Sequence, residues 1–409
     1  MGHSDRVLGP YRQLLATRGL AGLLTWSLLG RLHLPGTPLA ITFLVAGWTD
    51  SYLASGVVGG LYTVGVAVGG PLRGRSADTG DPVKLLVALS LAYATGITLL
   101  AFLPTLLPAT LWPVAAAVAC AAGLVQPPVT QIARASYPRL AADPAVRQSV
   151  YAVEATLQEL LWVVGPVLIA AVATAVNPLA GMLTCGFLAP VCTAGFAVAV
   201  HRAGLRTPVP RADTAAGSVL RLPGIPAALL TCMFLIAPLI VLDMTIVAWA
   251  RDFGSASAAG LLLAVWSVGS AVGGLVAGAR TAPPVLTRRI LLMAVGILAL
   301  VVVLPPVVDG SVWLLGAVLA VGGAAVAPAL AAANNRVGDL APEGRASEVF
   351  GWVMMAATLG GSLVLPVAGW LLDHVGPAAA AGASAAFALA AALCAQTVPD
   401  PAGRVRATG

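Results

Sequence analysis

The sequence predicts an all-α polytopic membrane protein, and two observations support this fold class. Of the 409 residues, 59% are hydrophobic and 9% are charged, whereas a typical soluble domain has about 25% charged residues. Apolar runs of about 20 residues, long enough to cross a bilayer as a helix, recur along nearly the whole chain. The remaining polar residues could not cover so much apolar surface in water. We therefore expect no sizeable soluble domain.

Twelve apolar runs predict twelve membrane spans, numbered from the N-terminus. Each run is bounded by charged residues or by Gly and Pro, which interrupt helices. The longest connection, 201–223, is polar, basic and rich in Pro and Gly, as a linker is. It divides the chain into a first six-helix bundle, 1–200, and a second, 224–409. The predicted spans are 20–46, 53–72, 83–103, 112–134, 150–176, 179–200, 225–249, 257–279, 289–308, 312–333, 348–372 and 377–397.

Basic residues predict the orientation in the membrane. They cluster near the N-terminus, in connections 73–84, 134–147, 202–221 and 280–289, and after residue 336. These segments alternate with connections that contain almost none. Basic connections face the cytoplasm, so both termini are predicted to be cytoplasmic, and the net charge of +6 reflects topology and not nucleic-acid binding. One lysine against 21 arginines is typical of a GC-rich bacterial genome, so we expect the cytoplasmic membrane of a bacterium.

The two halves contain related sequences. TVGVAVGGPLRGR, residues 63–75, aligns with SVGSAVGGLVAGAR, residues 267–280, at an offset of 204. Spans 5 and 11 share a weaker likeness at an offset of 199 to 200. Two parallel repeats with a binding site at their interface are an architecture of secondary transporters.

The connection between spans 2 and 3 carries a longer pattern, GGPLRGRSADTGDPVK, residues 69–84. It resembles the loop 2–3 motif of the major facilitator superfamily, in which glycines, a small-residue helix end, an Asp and basic residues follow one another. Gly70, Gly74, Arg75, Asp78 and Gly80 occupy those places. The residue after the Asp and the closing basic pair depart from the motif.

The resemblance implies that this loop helps to close the cytoplasmic side. In the superfamily this Asp lies beside the start of span 11, so we expect Asp78 to contact the region of Ser347 and Glu348. A helix N-terminus favours an acid, and small residues let membrane helices approach closely. The second-half copy, GLVAGARTAPPVLTRR, has no acid. An ordinary solvated loop is the alternative.

Span 5 carries a second resemblance. Gly165–Pro166 resembles the antiporter signature of exporting branches of the superfamily, and a packing kink is the alternative. Gln158–Glu159, together with Arg31 and Pro35 of span 1, resembles a bacterial subgroup of presumed exporters.

Charged residues inside the spans are the main candidates for function. Arg31 lies roughly 18 Å into span 1 and Glu159 about 14 Å into span 5, counted at the helical rise per residue. An arginine at the centre of a membrane helix costs about 2.5–3.5 kcal/mol, so we expect an Arg31–Glu159 ion pair. Glu154 lies nearer the cytoplasm and shares a helix face with Gln158. Either Glu could carry a proton, with Arg31 setting its affinity, because partner and solvation change between conformations. A purely structural ion pair is the alternative.

Other polar residues in the spans could line a central cavity. Gln126 lies in span 4, whose equivalents surround the cavity in relatives. Asp243 is expected in the outer half of span 7, beyond a helix break at Pro238, as a cavity-mouth contact or a solvated residue. His33 is either a packing residue or a proton relay. Arg134 is expected to anchor span 4 at the cytoplasmic surface.

These expectations combine into one functional hypothesis. The sequence predicts a monomeric secondary transporter that exports a small organic molecule in exchange for protons, by rocking two bundles around a cavity in the lipid bilayer. An uptake symporter of the same fold and a non-transporting sensor or assembly protein are the alternatives. We expect no enzyme and no cofactor, because no phosphate-binding loop, metal-ligand spacing or catalytic triad is recognisable. The five cysteines fall in apolar stretches and are interpreted as buried hydrophobes.

Overall fold

A computed structural model describes residues 12–207, 217–252, 256–279, 285–305, 307 and 311–399. Within these ranges the chain forms helices and contains no β-strand. Ten helical stretches there are long and apolar enough to cross a membrane, by length and composition. They correspond to spans 2 to 8 and 10 to 12. Span 1 consists of two shorter apolar helices, and span 9 is a helix of 16 residues.

The helices follow the predicted order, with shifted ends. Spans 1, 4 and 10 each consist of two helices, and every other span is one helix. The bounds, from span 1 to span 12, are Leu20–Leu29 with Thr37–Thr49, Tyr52–Thr79, Pro82–Leu106, Trp112–Leu124 with Val129–Leu140, Pro144–Ala175, Pro178–Arg202, Ile225–Asp252, Ala256–Gly278, Leu286–Val301, Val312–Gly323 with Val326–Leu340, Ala346–His374 and Pro377–Gln396.

Prolines account for the interruptions, which the predicted continuous spans did not include. A proline lacks an amide hydrogen and clashes with the carbonyl four residues earlier. Pro35 lies inside the turns of span 1, and Pro127–Pro128 separate the two helices of span 4. Pro328 lies four residues after the interruption at Ala324 in span 10. The expected break at Pro238 was wrong, because span 7 continues as a helix through that residue.

The internal repeat has a direct structural counterpart. A Cβ atom on Gly65 would overlap a backbone carbonyl of span 4, and one on Gly269 would overlap a backbone carbonyl of span 10. The approach is reciprocal, since a Cβ on Gly123 or on Gly323 would meet a carbonyl of span 2 or span 8. Spans 2 and 4 therefore pack backbone to backbone in the same way as spans 8 and 10.

Large apolar side chains are exposed along the outer faces of the helices. Examples are Trp313 at 83%, Val321 at 78% and Leu363 at 66% exposure. Apolar area of this extent faces lipid in a membrane protein and would be unfavourable in water.

We call spans 1–6 and spans 7–12 the two halves. They contact each other through spans 2 and 11, spans 5 and 8, spans 5 and 10, and spans 4 and 11. We call one end of the molecule the basic end: spans 2, 8 and 10 end there, at Thr79, Gly278 and Leu340, and spans 5 and 11 begin there, at Pro144 and Ala346.

Candidate functional site

A buried charged cluster joins spans 1, 4 and 5. Arg31 Nη1 donates a hydrogen bond to Glu154 Oε1 at 2.7 Å, and Arg134 Nε donates to the same oxygen at 3.1 Å. Gln158 Oε1 accepts from Arg31 at 3.4 Å and from Arg134 at 3.1 Å. The backbone carbonyl and the hydroxyl of Ser27 accept further bonds from Arg31. The carboxylate is therefore held between two guanidinium groups. We call these four charged and amide residues, 31, 134, 154 and 158, the arginine cluster.

The expected pairing of Arg31 with Glu159 was wrong. Residues 154 and 159 are five positions apart, so their side chains leave the helix in directions about 140° apart. Glu154 faces spans 1 and 4, and Glu159 faces elsewhere. Counting depth along the helix could not distinguish the two faces.

The sequence predicted Arg134 to be a surface anchor, and this prediction was wrong. Its residue exposure is 6%, and its guanidinium lies in the arginine cluster. Tyr151, from span 5, donates its hydroxyl hydrogen to the backbone carbonyl of Arg134 at 3.1 Å. The second helix of span 4 is thereby fixed against span 5 at the level of the cluster.

Glu159 approaches the other half instead of the arginine cluster. It is half-buried, and its carboxyl group interacts through space with that of Asp243 in span 7. Asp243 is accessible to solvent and is nevertheless surrounded by protein, as a residue that lines a cleft is. Two carboxyl groups from opposite halves are therefore within electrostatic range of each other, and two ionised carboxylates repel.

Gly165 brings span 5 close to the interruption in span 1. A Cβ atom on Gly165 would lie 2.8 Å from the carbonyl oxygen of Leu32, and one on Gly36 would lie 3.0 Å from the carbonyl oxygen of Gly165. Span 5 continues as a helix through Pro166. The close approach keeps the turns that carry Arg31 next to the helix that carries Glu154.

His33 is buried in the first half, away from the arginine cluster. It is 1% exposed, and neither ring nitrogen has a hydrogen-bond partner among the described residues. Its ring lies 5.2 Å from that of Tyr93, between centroids. A hydroxyl chain from Thr37 through Tyr93 to Tyr62, with O–O distances of 3.2 and 3.1 Å, runs beside it.

Gln126 lies within the interruption of span 4, and Gln131 lies in the first turn of the helix that follows it. Their residue exposures are 8% and 5%. Neither side-chain amide forms a hydrogen bond within the described part of the chain, and neither is fully occluded. The amides therefore reach a narrow space that a water molecule can enter.

Asp78 makes the expected contact with the start of span 11. Its carboxylate accepts hydrogen bonds from the backbone N–H groups of Ser347 at 3.0 Å and of Glu348 at 2.8 Å. A Cβ atom on Gly74 would overlap the carbonyl oxygen of Ser347, and one on Gly70 would lie 2.9 Å from the carbonyl of Gly351. The end of span 2 and the start of span 11 are thus in backbone contact at the basic end.

At the equivalent place, the end of span 8 is bound by neutral donors from span 5. Gln148 Nε2 and Ser149 Oγ, near the start of span 5, donate to the last carbonyl oxygens of span 8, those of Ala277 at 3.0 Å and Gly278 at 2.7 Å. These side chains take the place of the acid that the second-half motif lacks. An ion pair between Arg147 and Asp339, 2.9 Å apart, joins spans 5 and 10 beside them.

The remaining residues of the loop motif stay near the surface. Arg75 is exposed, and Gly80 ends span 2 in an extended conformation. Asp81 caps span 3 and accepts a hydrogen bond at 2.6 Å from Arg206, which holds the pKa of Asp81 below its ordinary value.

Sequence reasoning missed the buried cation Arg73. It is 5% exposed, and its guanidinium donates to the carbonyl oxygens of Gly123 at 2.7 Å and of Val66 at 2.8 Å. The first of these carbonyls lies at the interruption in span 4, where Pro127 has no N–H to donate to it and Gln126 N–H donates at 3.3 Å instead. The signal in the sequence was a second arginine two residues before Arg75, on the buried side of span 2.

Comparison with protein-family models finds a match in the second half of the chain. Residues 226–408 match the sequence model of the Major Facilitator Superfamily. The match covers less than half of the chain and none of spans 1–6. No curated protein matches the chain.

Solved structures of transporters share the fold over nearly the whole chain. A bacterial homologue of the iron transporter ferroportin, in the outward-facing state, is 16% identical with a TM-score of 0.75, covering 93% of this chain and 98% of that one. The human organic anion transporter MFSD10 is 16% identical with a TM-score of 0.67, covering 97% and 100%. FucP in the outward conformation is 14% identical with a TM-score of 0.65, covering 93% and 99%.

Proposed function

We propose that the protein exports a small organic molecule in exchange for protons, by alternating access of a central cleft, and that Glu159 carries the proton. The observation that carries the proposal is the pair of carboxyl groups, Glu159 and Asp243, contributed by opposite halves. A change in the separation of the halves changes the repulsion between these groups. Proton binding is thereby linked to the conformation.

The contacts between the halves support a rocking motion. Hydrogen bonds of Asp78, Gln148 and Ser149, and the ion pair of Arg147, all lie at the basic end. By the positive-inside rule the basic end is cytoplasmic. The described conformation is then closed on its cytoplasmic side. When that side opens, these few contacts break and the two proposed bundles, 1–200 and 224–409, each stay intact.

Glu159, the proposed proton carrier, differs from Glu154 in its surroundings. Glu154 is bound by two guanidinium groups, and opposite charges favour the ionised form of a carboxyl group. Glu159 has an acid nearby instead, so it can gain and lose a proton during a cycle. Export, as opposed to uptake, rests on the resemblance of Gly165–Pro166 and Gln158–Glu159 to exporting branches. We further propose a monomer in a bacterial cytoplasmic membrane with both termini inside.

The test is transport by the purified protein in liposomes that carry a proton-sensitive dye. A panel of drugs and metabolites is added with and without a proton gradient, in both directions. Substrate-dependent proton movement is expected for the wild type and for Glu343→Gln, a control at an exposed loop residue, and is expected to vanish in Glu159→Gln. Full proton-linked transport by Glu159→Gln would overturn the proposed role. Proton and substrate moving in the same direction would favour an uptake symporter.

A further inference from the structure

The arginine cluster carries one more positive charge than negative charge. It contains two guanidinium groups and one carboxylate, and its fourth member, Gln158, is neutral. Arg31 and Arg134 are 4% and 6% exposed. Glu159 points away from both. A buried charge without a counter-charge is costly, so the cluster is electrostatically incomplete.

Some hydrogen-bond donors around the cluster also lack an acceptor. Nη1 of Arg134 forms no hydrogen bond to the described residues, although its Nε and Nη2 do. The Tyr137 hydroxyl is buried near Ser27, Glu154 and Arg31 and forms no hydrogen bond of ordinary geometry to the described residues. The Gln131 amide, one helical turn before Arg134, is unbonded and reachable. Several donors thus remain available near the surplus charge.

We propose that Arg31 and Arg134 bind a monovalent anionic group, the carboxylate of the transported organic molecule. A guanidinium presents its donors in a fork that fits a carboxylate. The bound carboxylate would neutralise the surplus charge, and the Gln131 amide and Tyr137 hydroxyl would supply further donors. This inference rests on the proposed function, because it names organic acids as the class of transported substrate.

The test is ligand binding to the full-length protein in detergent, followed as a change in melting temperature. Small probes test the charge site without requiring the rest of the substrate. Acetate and benzoate are compared with acetamide, methylammonium chloride and sodium chloride at equal ionic strength. We expect both carboxylates to raise the melting temperature and the other three solutes to have little effect. No carboxylate-specific increase would overturn the proposal, and an equal increase with sodium chloride would overturn the assignment to an organic acid.

Variants of the cluster separate charge from structure. Arg134→Gln removes the surplus charge and leaves the Arg31–Glu154 ion pair in place. We expect the affinity for carboxylates to fall by about tenfold or more. The double variant Arg134→Gln with Glu154→Gln restores one uncompensated guanidinium and should regain binding. Arg202→Gln, at an exposed position outside the cluster, is the matched control and should bind as the wild type does.

Two patterns contradict the proposal: unchanged binding in Arg134→Gln, or an equal loss in Arg202→Gln. The binding assay contains no proton gradient, so its result is independent of the Glu159→Gln transport assay. Carboxylate binding without proton-linked transport would refute the proposed function alone, and the reverse would refute this inference alone.

Discussion

Arg31 donates to Glu154 over 2.7 Å, between side chains that are 4% and 1% exposed. Loss of one partner of a buried ion pair leaves a charge without compensation, at a cost of about 3–5 kcal/mol. Here the two partners are unequal, because Arg134 also binds Glu154. The carboxylate can lose one arginine and keep another, whereas both arginines depend on the one carboxylate.

The first prediction follows from this inequality. Glu154→Gln should lower the free energy of unfolding by about 3–5 kcal/mol, because two buried guanidinium groups lose their counter-charge. Arg31→Gln should cost less, since the Arg134–Glu154 pair remains. Equilibrium unfolding in mixed micelles measures both. An equal decrease in the free energy of unfolding in both variants would contradict the unequal roles of Glu154 and Arg31.

The second prediction concerns the contact between spans 2 and 11. Gly74→Ala places a methyl group against the carbonyl of Ser347, which cannot move without moving span 11. We expect the variant to fold and to transport at a strongly reduced rate, because the basic end can no longer close. Gly60→Ala on the same helix has nothing within 4 Å of the added Cβ and is the control. Normal transport by Gly74→Ala would argue against closure through this contact.

The third prediction tests the internal repeat. Gly123→Ala and Gly323→Ala each add a methyl group at a backbone contact between two spans, and overpacking of this kind costs about 1–3 kcal/mol. Both variants should lower the melting temperature to a similar extent. Gly59→Ala, which faces open space, should not. If only one of the two variants lowered the melting temperature, the two glycines would not have equivalent packing roles.

Much of the architecture could be predicted from the sequence. Hydrophobic runs gave the order of the spans, and the glycines aligned at an offset of 204 lie at equivalent contacts in the two halves. Asp78 was assigned correctly to the start of span 11 from its motif. These features depend on local composition or on a short pattern, which one sequence reveals.

The charged site was predicted only in part. The choice between Glu154 and Glu159 depends on the direction in which each side chain leaves its helix, and the turns after Leu29 changed the geometry that a continuous span 1 would have had. Arg134 resembled a surface anchor because it lies near a basic connection. Its burial depends on contacts with spans 1 and 5 that no local pattern encodes.

The most direct test of alternating access measures both ends of the molecule at once. Spin labels are introduced in a cysteine-free background at Ser76 and Glu343 for the basic end, and at Tyr52 and Trp370 for the opposite end, all exposed positions. Distances from electron paramagnetic resonance are compared between the wild type and Gly74→Ala. The account predicts that the distance at the basic end lengthens in the variant while the distance at the opposite end shortens. Unchanged distances, or two distances that lengthen together, would contradict it.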